Sequence, residues 1–209
     1  MTTQQLNLIA VVSAVVCWSA FVATWLAAEN YNEGRAPAER TRSWFGTAVA
    51  PGIVIASLIT LAVPAADWRS LTFYAPPVRI LGLVILLAAT ALTIWARLAL
   101  GLMWSGVPAV KEQHQLRTSG PYAITRHPIY TGILGMLLGT LLVAGGGRWI
   151  VLFPVMLVLL EIKIRIEERL MLAEFPDQYP RYRQLVPKLI PGLRLLSRHS
   201  GDQQIAASH

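Results

Sequence analysis

Five long apolar runs set the terms for this chain: Leu6–Ala28, Phe45–Ala66, Val78–Leu100, Ile129–Ala144 and Trp149–Ile164. A helix that crosses hydrocarbon needs about 20 mainly apolar residues at 1.5 Å each. The first three runs meet that length, and the last two reach it by extending into their flanks. None of the five alternates polar with apolar residues. A closed barrel needs that alternation, so helices are the one spanning structure left. Charged residues make up only 14% of the 209, against about 25% in a soluble globular domain. No positive charge precedes the first run, and its apolar stretch outlasts the core of a signal peptide, so it is expected to be retained. The expectation is an all-α integral membrane protein with five transmembrane helices.

The basic residues orient the bundle. Of the 18 Lys+Arg, fifteen follow the first, third or fifth run, and three (Arg69, Arg79 and Arg148) lie at the opposite ends. Cytoplasmic loops carry the excess of Lys and Arg, which predicts an N-terminus outside and a C-terminus in the cytoplasm. The formal net charge of +7 is spread between apolar runs, so it points to membrane lipids and not to nucleic acid. Cys17 lies inside an apolar run and reads as a packing thiol. His114, His127, His199 and His209 have no metal-ligand spacing, so no metal is expected. Gly145-Gly146-Gly147 permits only a tight turn between the last two helices. Gly132, Gly135 and Gly139 share nearly one face and read as a close-packing surface.

Polar chemistry concentrates in two stretches, 104–130 and 161–191. The first is rich in Gly and Pro and reads largely as loop. It ends at Arg126-His127-Pro128, with Pro128 suited to a first helical turn. Arg126 and His127 beside a helix N-terminus favour an anionic group, and Tyr122 and Tyr130 add flat surface with a hydroxyl; membrane-interface anchoring explains the same residues. The second stretch begins inside the fifth helix. At 100° per residue, Glu161, Arg165 and Glu168 share one face, and Lys163 and Glu167 the opposite one. Glu161 and Lys163 lie near hydrocarbon depth, where ionisable groups are expensive. Arg169–Leu185 mixes basic and aromatic residues, as an amphipathic helix lying on the membrane and roofing a site does.

These motifs, taken together, resemble the isoprenylcysteine carboxyl methyltransferase family. The resemblance is carried by His114-x-Leu116-x-Thr118-Ser119-Gly120-x-Tyr122, by Arg126-His127-Pro128-x-Tyr130-x-Gly132, by Glu167-Glu168, and by Phe175-x3-Tyr179-x2-Tyr182-x3-Val186-Pro187-x3-Pro191. It covers roughly 111–191, and the related phospholipid N-methyltransferases share part of it. It implies a cytosolic S-adenosylmethionine pocket at the mouth of the last helical hairpin, beside a lipid-accessible path for a hydrophobic or lipid-like methyl acceptor. On the same basis His114, Gln115, Leu116, Arg117, Tyr122, His127, Pro128, Ile129 and Tyr130 would line the cofactor. Glu167, with Glu168 beside it, would hold a cofactor group. The family's substrate-contacting arginine falls on or near Lys163, with Arg165 or Arg126 as alternatives. Other departures are Pro176, where glycine is common, and Leu185, where a base often precedes Val-Pro.

Methyl transfer from a sulfonium needs positioning and exclusion of water, and no catalytic triad is visible. An amine acceptor would also need a base, for which Glu161 or Glu168 is available. The organisation expected is three N-terminal helices over 1–100, a catalytic region with two helices over 101–191, and a polar tail over 192–209. Two other readings stand beside it: an NADPH-dependent membrane reductase of the sterol reductase type, which has a similar Arg-His-x-x-Tyr-x-Gly element, and a non-catalytic membrane scaffold.

Overall fold

The computed structural model describes residues 3–33, 35, 39–42, 58, 62, 64, 67–73, 75–104, 109–111 and 116–190. Helices carry the fold. In chain order they are α1 (Thr3–Asn32), α2 (Pro76–Leu100), α3 (Pro121–Ile124), α4 (Pro128–Ala144), α5 (Trp149–Glu174) and α6 (Gln178–Leu185). The expected spans at 6–28, 78–100, 129–144 and 149–164 each lie within one of these helices. The run Phe45–Ala66 falls almost wholly outside the described residues. Among the described residues, two helical stretches are long and apolar enough to cross a membrane, Gln5–Asn32 and Pro76–Met103, while Pro128–Ala144 is apolar but shorter. Glu161, Lys163 and Arg165 break the apolar character of α5.

Leu8, Val11, Val15, Val22 and Leu26 on α1 and Leu81, Val84, Leu87 and Leu98 on α2 are exposed. An apolar face this long has no place in water and suits lipid. The inward faces meet in a small core of Cys17, Leu86, Ala89 and Met136, flanked by Ala14, Trp18 and Phe21. Hydroxyls in this core bond within their own helices: Thr90, Thr93 and Thr140 each donate to the carbonyl four residues back. Trp18 Nε1 then reaches Thr140 Oγ1 at 3.1 Å. No water is needed to satisfy them.

Two side-chain ties give the relative direction of α1 and α2. Asn32 at the end of α1 donates to the carbonyl of Gly101, just past the end of α2 (3.3 Å). Arg79 in the first turn of α2 donates to Asn7 near the start of α1. The two helices are therefore parallel. α4 runs antiparallel to α2, and α5 runs back along α4.

The glycine face of α4 packs against α2, not within the hairpin that α4 forms with α5. A Cβ at Gly132 would stand 1.7 Å from Thr93 Oγ1, and one at Gly135 2.7 Å from Ala89 Cβ. One at Gly139 would stand 2.7 Å from the Leu86 nitrogen. α2 answers with Gly82, where a Cβ would lie 2.7 Å from Leu142 Cβ. Backbones this close exclude any side chain.

Gly145–Gly147 forms the expected tight turn, with all three residues at positive φ. Gly146 N–H caps α4 on Leu141 O at 2.9 Å, and Gly145 O accepts from Phe73 N–H at 2.8 Å. Two features were not anticipated. Glu39–Arg42 pairs antiparallel with Ala109–Lys111 as a short ribbon, so part of the connector at 29–44 is tied to the polar loop. The amphipathic segment 169–185 is also not one helix: α5 stops at Glu174 and α6 starts at Gln178. Pro176 accounts for the break, since it has no N–H and disfavours helical backbone at the residue before it.

Candidate functional site

The antiparallel return of α5 along α4 brings the end of α5 beside the start of α4. His127 is the residue before α4, with φ −124 and ψ 61, and Pro128 opens the helix. The imidazole lies between two carboxylates from successive residues of α5. Nδ1 is 3.7 Å from Glu167 Oε2 and Nε2 is 3.4 Å from Glu168 Oε1. Neighbouring residues on a helix point about 100° apart, and a ring inserted between them meets both. Tyr130, in the first turn of α4, donates its hydroxyl to Glu167 Oε1, and its ring stacks on His127 at 5.7 Å and 15°. Lys163 Nζ lies 5.6 Å from the centre of the Tyr130 ring.

Arg126 is held on nearly every side. Nε and Nη2 meet Glu168 Oε1 at 3.0 and 2.8 Å, and Nη1 donates to the carbonyls of Arg183 and Val186 at 3.0 and 2.6 Å. Burial pushes the Glu168 carboxyl up, but the hydrogen bond from His127 and the charge of Arg126 outweigh it and hold the group at about 2. Arg183 adds a longer contact to Glu168 Oε2 at 3.9 Å. The anion that the start of α4 favours is thus supplied by the chain itself.

A strap formed by residues 186–189 closes over these groups. Arg126 N–H donates to Pro187 O at 2.9 Å and His127 N–H to Lys188 O at 3.2 Å. Thr125 Oγ1 donates to Lys188 O and Thr131 Oγ1 to Leu189 O, both at 2.7 Å. Tyr179, Tyr182 and Val186 form the apolar layer behind the strap, with Leu116, Met171, Leu172 and Phe175 against it. Tyr179, Tyr182, Met171, Leu172 and Phe175 of this layer belong to the segment 169–185, and Val186 continues into the strap. Tyr182 donates to Tyr122 O at 2.6 Å, and Tyr122 donates to Ala96 O on α2 at 3.4 Å. Burial raises all three phenols, Tyr182 to about 12, with Tyr122 and Tyr179 higher still. They remain hydroxyl donors at any physiological pH.

Arg126, His127, Tyr130, Glu167 and Glu168 meet in one cluster, and Pro128 and Ile129 are buried at its helix start. Tyr122 joins it through Tyr182. Lys163 reaches its edge. Leu116 contributes to the apolar layer, while Arg117 is exposed; His114 and Gln115 lie outside the described residues. Arg165 points away: its side chain is 69% exposed and pairs with Glu161 at 3.0 Å. Glu161 also takes Lys188 at 2.8 Å. Sequence reasoning did not single out Thr125, Thr131 or Lys188. The two threonines flank Arg126-His127-Pro128, and that adjacency is the one signal available for them. Nothing in the sequence links Lys188 to partners so far back in the chain.

Residues 80–173 match the model of the isoprenylcysteine carboxyl methyltransferase family. The matched stretch holds the cluster from Arg126 to Glu168 but ends before the strap. A relative described as protein-S-isoprenylcysteine O-methyltransferase, from Schizosaccharomyces pombe, is 36% identical over 94 residues, which are 44% of this chain and 40% of the relative. The fold is similar to the solved structure of the eukaryotic intramembrane Ras methyltransferase ICMT, with a TM-score of 0.55 and 24% identity. That likeness covers 68% of this chain and 53% of the solved one. The chain thus accounts for about half or less of the length of the proteins it matches, and what it shares with them centres on the family region.

Proposed function

We propose that the chain is a membrane-embedded methyltransferase that uses S-adenosylmethionine and methylates a hydrophobic or lipid-like acid of the isoprenylcysteine kind. The observation that carries this reading is the unequal state of the two glutamates. Glu168 is 9% exposed and spent on Arg126 and His127, whereas Glu167 is 22% exposed and is met by Tyr130 and His127. A part-exposed carboxylate, oriented by a tyrosine and a histidine, suits a ligand's ammonium group.

The donor set fits S-adenosylmethionine, which supplies a methyl group on a positively charged sulfur. Glu167 would take its amine. Tyr130 and His127 hold Glu167 in place. Tyr122, Leu116 and the loop from His114 to Arg117 would line the remainder. Arg126 acts by position, tying the strap to α5 through Glu168. Lys163 stands at the edge of the cluster, over the Tyr130 ring. The site lies at the end of the bundle where α1 and α2 finish. The basic-residue distribution assigns that end to the cytoplasm, with the acceptor entering from the inner leaflet. The region 101–191 is the catalytic unit and 1–100 its membrane support.

Binding of methyl-labelled S-adenosylmethionine to the purified chain tests the site. Glu167→Ala and His127→Ala are expected to weaken binding about tenfold or more, as loss of a charge-assisted hydrogen bond does. Parent-like binding by both variants, or protection by NADPH in place of S-adenosylmethionine, would overturn the assignment.

A further inference from the structure

Arg97 is a buried charge that the cluster does not employ. It lies in the last turn of α2, 1% exposed, in a stretch apolar enough to cross a membrane. An ionisable group at such a place is expensive and marks function by default. Its own surroundings satisfy little of it. Nη1 donates to Gly101 O at 3.3 Å, a carbonyl that Asn32 also uses. The guanidinium lies over Trp104 at 4.2 Å and near Trp25 at 5.9 Å. Nε and Nη2 are buried and have no acceptor among the described residues. Glu29 contributes charge but accepts from neither of them.

Which two donors remain is informative. Nε–H and Nη2–H run parallel along one edge of the planar fork, the edge that pairs side-on with both oxygens of a carboxylate. Leaving them unmade costs more on a cation than on a neutral group. The two indoles add apolar walls next to that edge. Arg97 also follows Ala96, whose carbonyl takes the Tyr122 hydroxyl, and Tyr122 is in turn tied to Tyr182 and the roof of the cluster. A cation whose side-on edge has no acceptor among the described residues therefore stands beside a cluster that presents a carboxylate to a cation.

We propose that Arg97 receives the carboxylate of the methyl acceptor through its Nε/Nη2 edge, with Trp25 and Trp104 against the chain that bears it. This rests on the methyltransferase reading above. In the step it serves, one carboxylate oxygen attacks the methyl carbon. The new O–C bond forms as the C–S bond breaks, and that bond's electron pair stays on sulfur, leaving a neutral ester and a neutral thioether. No proton moves. Arg97 keeps the acceptor ionised and turned toward the methyl group, while the outward lone pairs of its oxygens stay available.

The test uses the full chain in nanodiscs with labelled S-adenosylmethionine, N-acetyl-S-farnesylcysteine as the acid, and its carboxamide as competitor. The parent is expected to prefer the acid over the amide by about tenfold or more. Arg97→Gln is expected to raise the acceptor KM by a similar factor and erase that preference, with donor binding within about twofold of the parent. Arg97→Lys keeps the charge without the fork and should recover only part of the preference. If Arg97→Gln does not accumulate, the lysine variant carries the comparison. An acid-over-amide ratio equal to the parent's overturns the role of Arg97 alone. A parent that binds no S-adenosylmethionine overturns the methyltransferase reading instead.

Discussion

Glu167 and Glu168 are chain neighbours with different work. Both face His127, but Glu168 is also locked to Arg126 and is the more buried of the two, so a dipeptide that reads as one motif divides into two environments. The low value of Glu168 makes this measurable. Its carboxyl falls from 4.5 to about 2 on folding, so the folded state binds the proton less readily than the unfolded chain. The stabilisation is then complete above about 4.5 and lost as pH falls toward 2. The gap in melting temperature between the parent and Glu168→Gln should narrow across that window in a pH series of detergent melts. A constant gap would mean that the ion pair contributes nothing to folding. Arg126 is where sequence and structure diverge most at this scale. Its place before a helix start suggests an anion ligand, but four contacts to three oxygens, of residues 168, 183 and 186, occupy it. Spacing along the chain does not say which remote carbonyls will arrive.

At the scale of elements, the helices are legible because hydrocarbon leaves the backbone one solution and the apolar runs are long. Pro128 and Gly145 mark the limits of α4 for local reasons, a proline in the first turn and a positive-φ glycine at the exit. The partner of a helix face is another matter. Gly132, Gly135 and Gly139 announce a close approach without naming the helix approached, and α2 is the one that supplies Gly82, Ala89 and Thr93. Gly132→Ala would drive a Cβ onto Thr93 Oγ1, and overpacking of this kind costs about 1–3 kcal/mol. It should lower the melting temperature, and adding Thr93→Ala should restore part of it, because the hydroxyl is the nearest obstacle. Independent, additive losses from the two changes would show that the contact is not shared.

For the whole molecule, the parallel course of α1 and α2 and the antiparallel course of α4 and α5 put Tyr122, Arg126, His127 and Glu167 at one end. Thr72 and Gly145–Gly147 lie at the other, where Thr72 bridges Gly146. Ser119 and Ser70 are exposed near these opposite ends, and Cys17, the single cysteine, is buried. With Cys17 replaced by alanine, Ser70→Cys should react with an impermeant maleimide in intact cells, and Ser119→Cys only after the membrane is opened. The reverse pattern would invert the orientation and place the cluster outside.

Apolar length and the uneven distribution of Lys and Arg are properties of the chain read in order, so the sequence alone determined that helices would form and which ends share a side. The order of its motifs likewise brought the family into view. Hydrogen bonding and close packing depend on which distant atoms meet. Only the tertiary structure could therefore decide that Glu168 is consumed by Arg126 while Glu167 stays part-exposed, that the glycine face meets α2, and that two donors of Arg97 find no acceptor among the described residues.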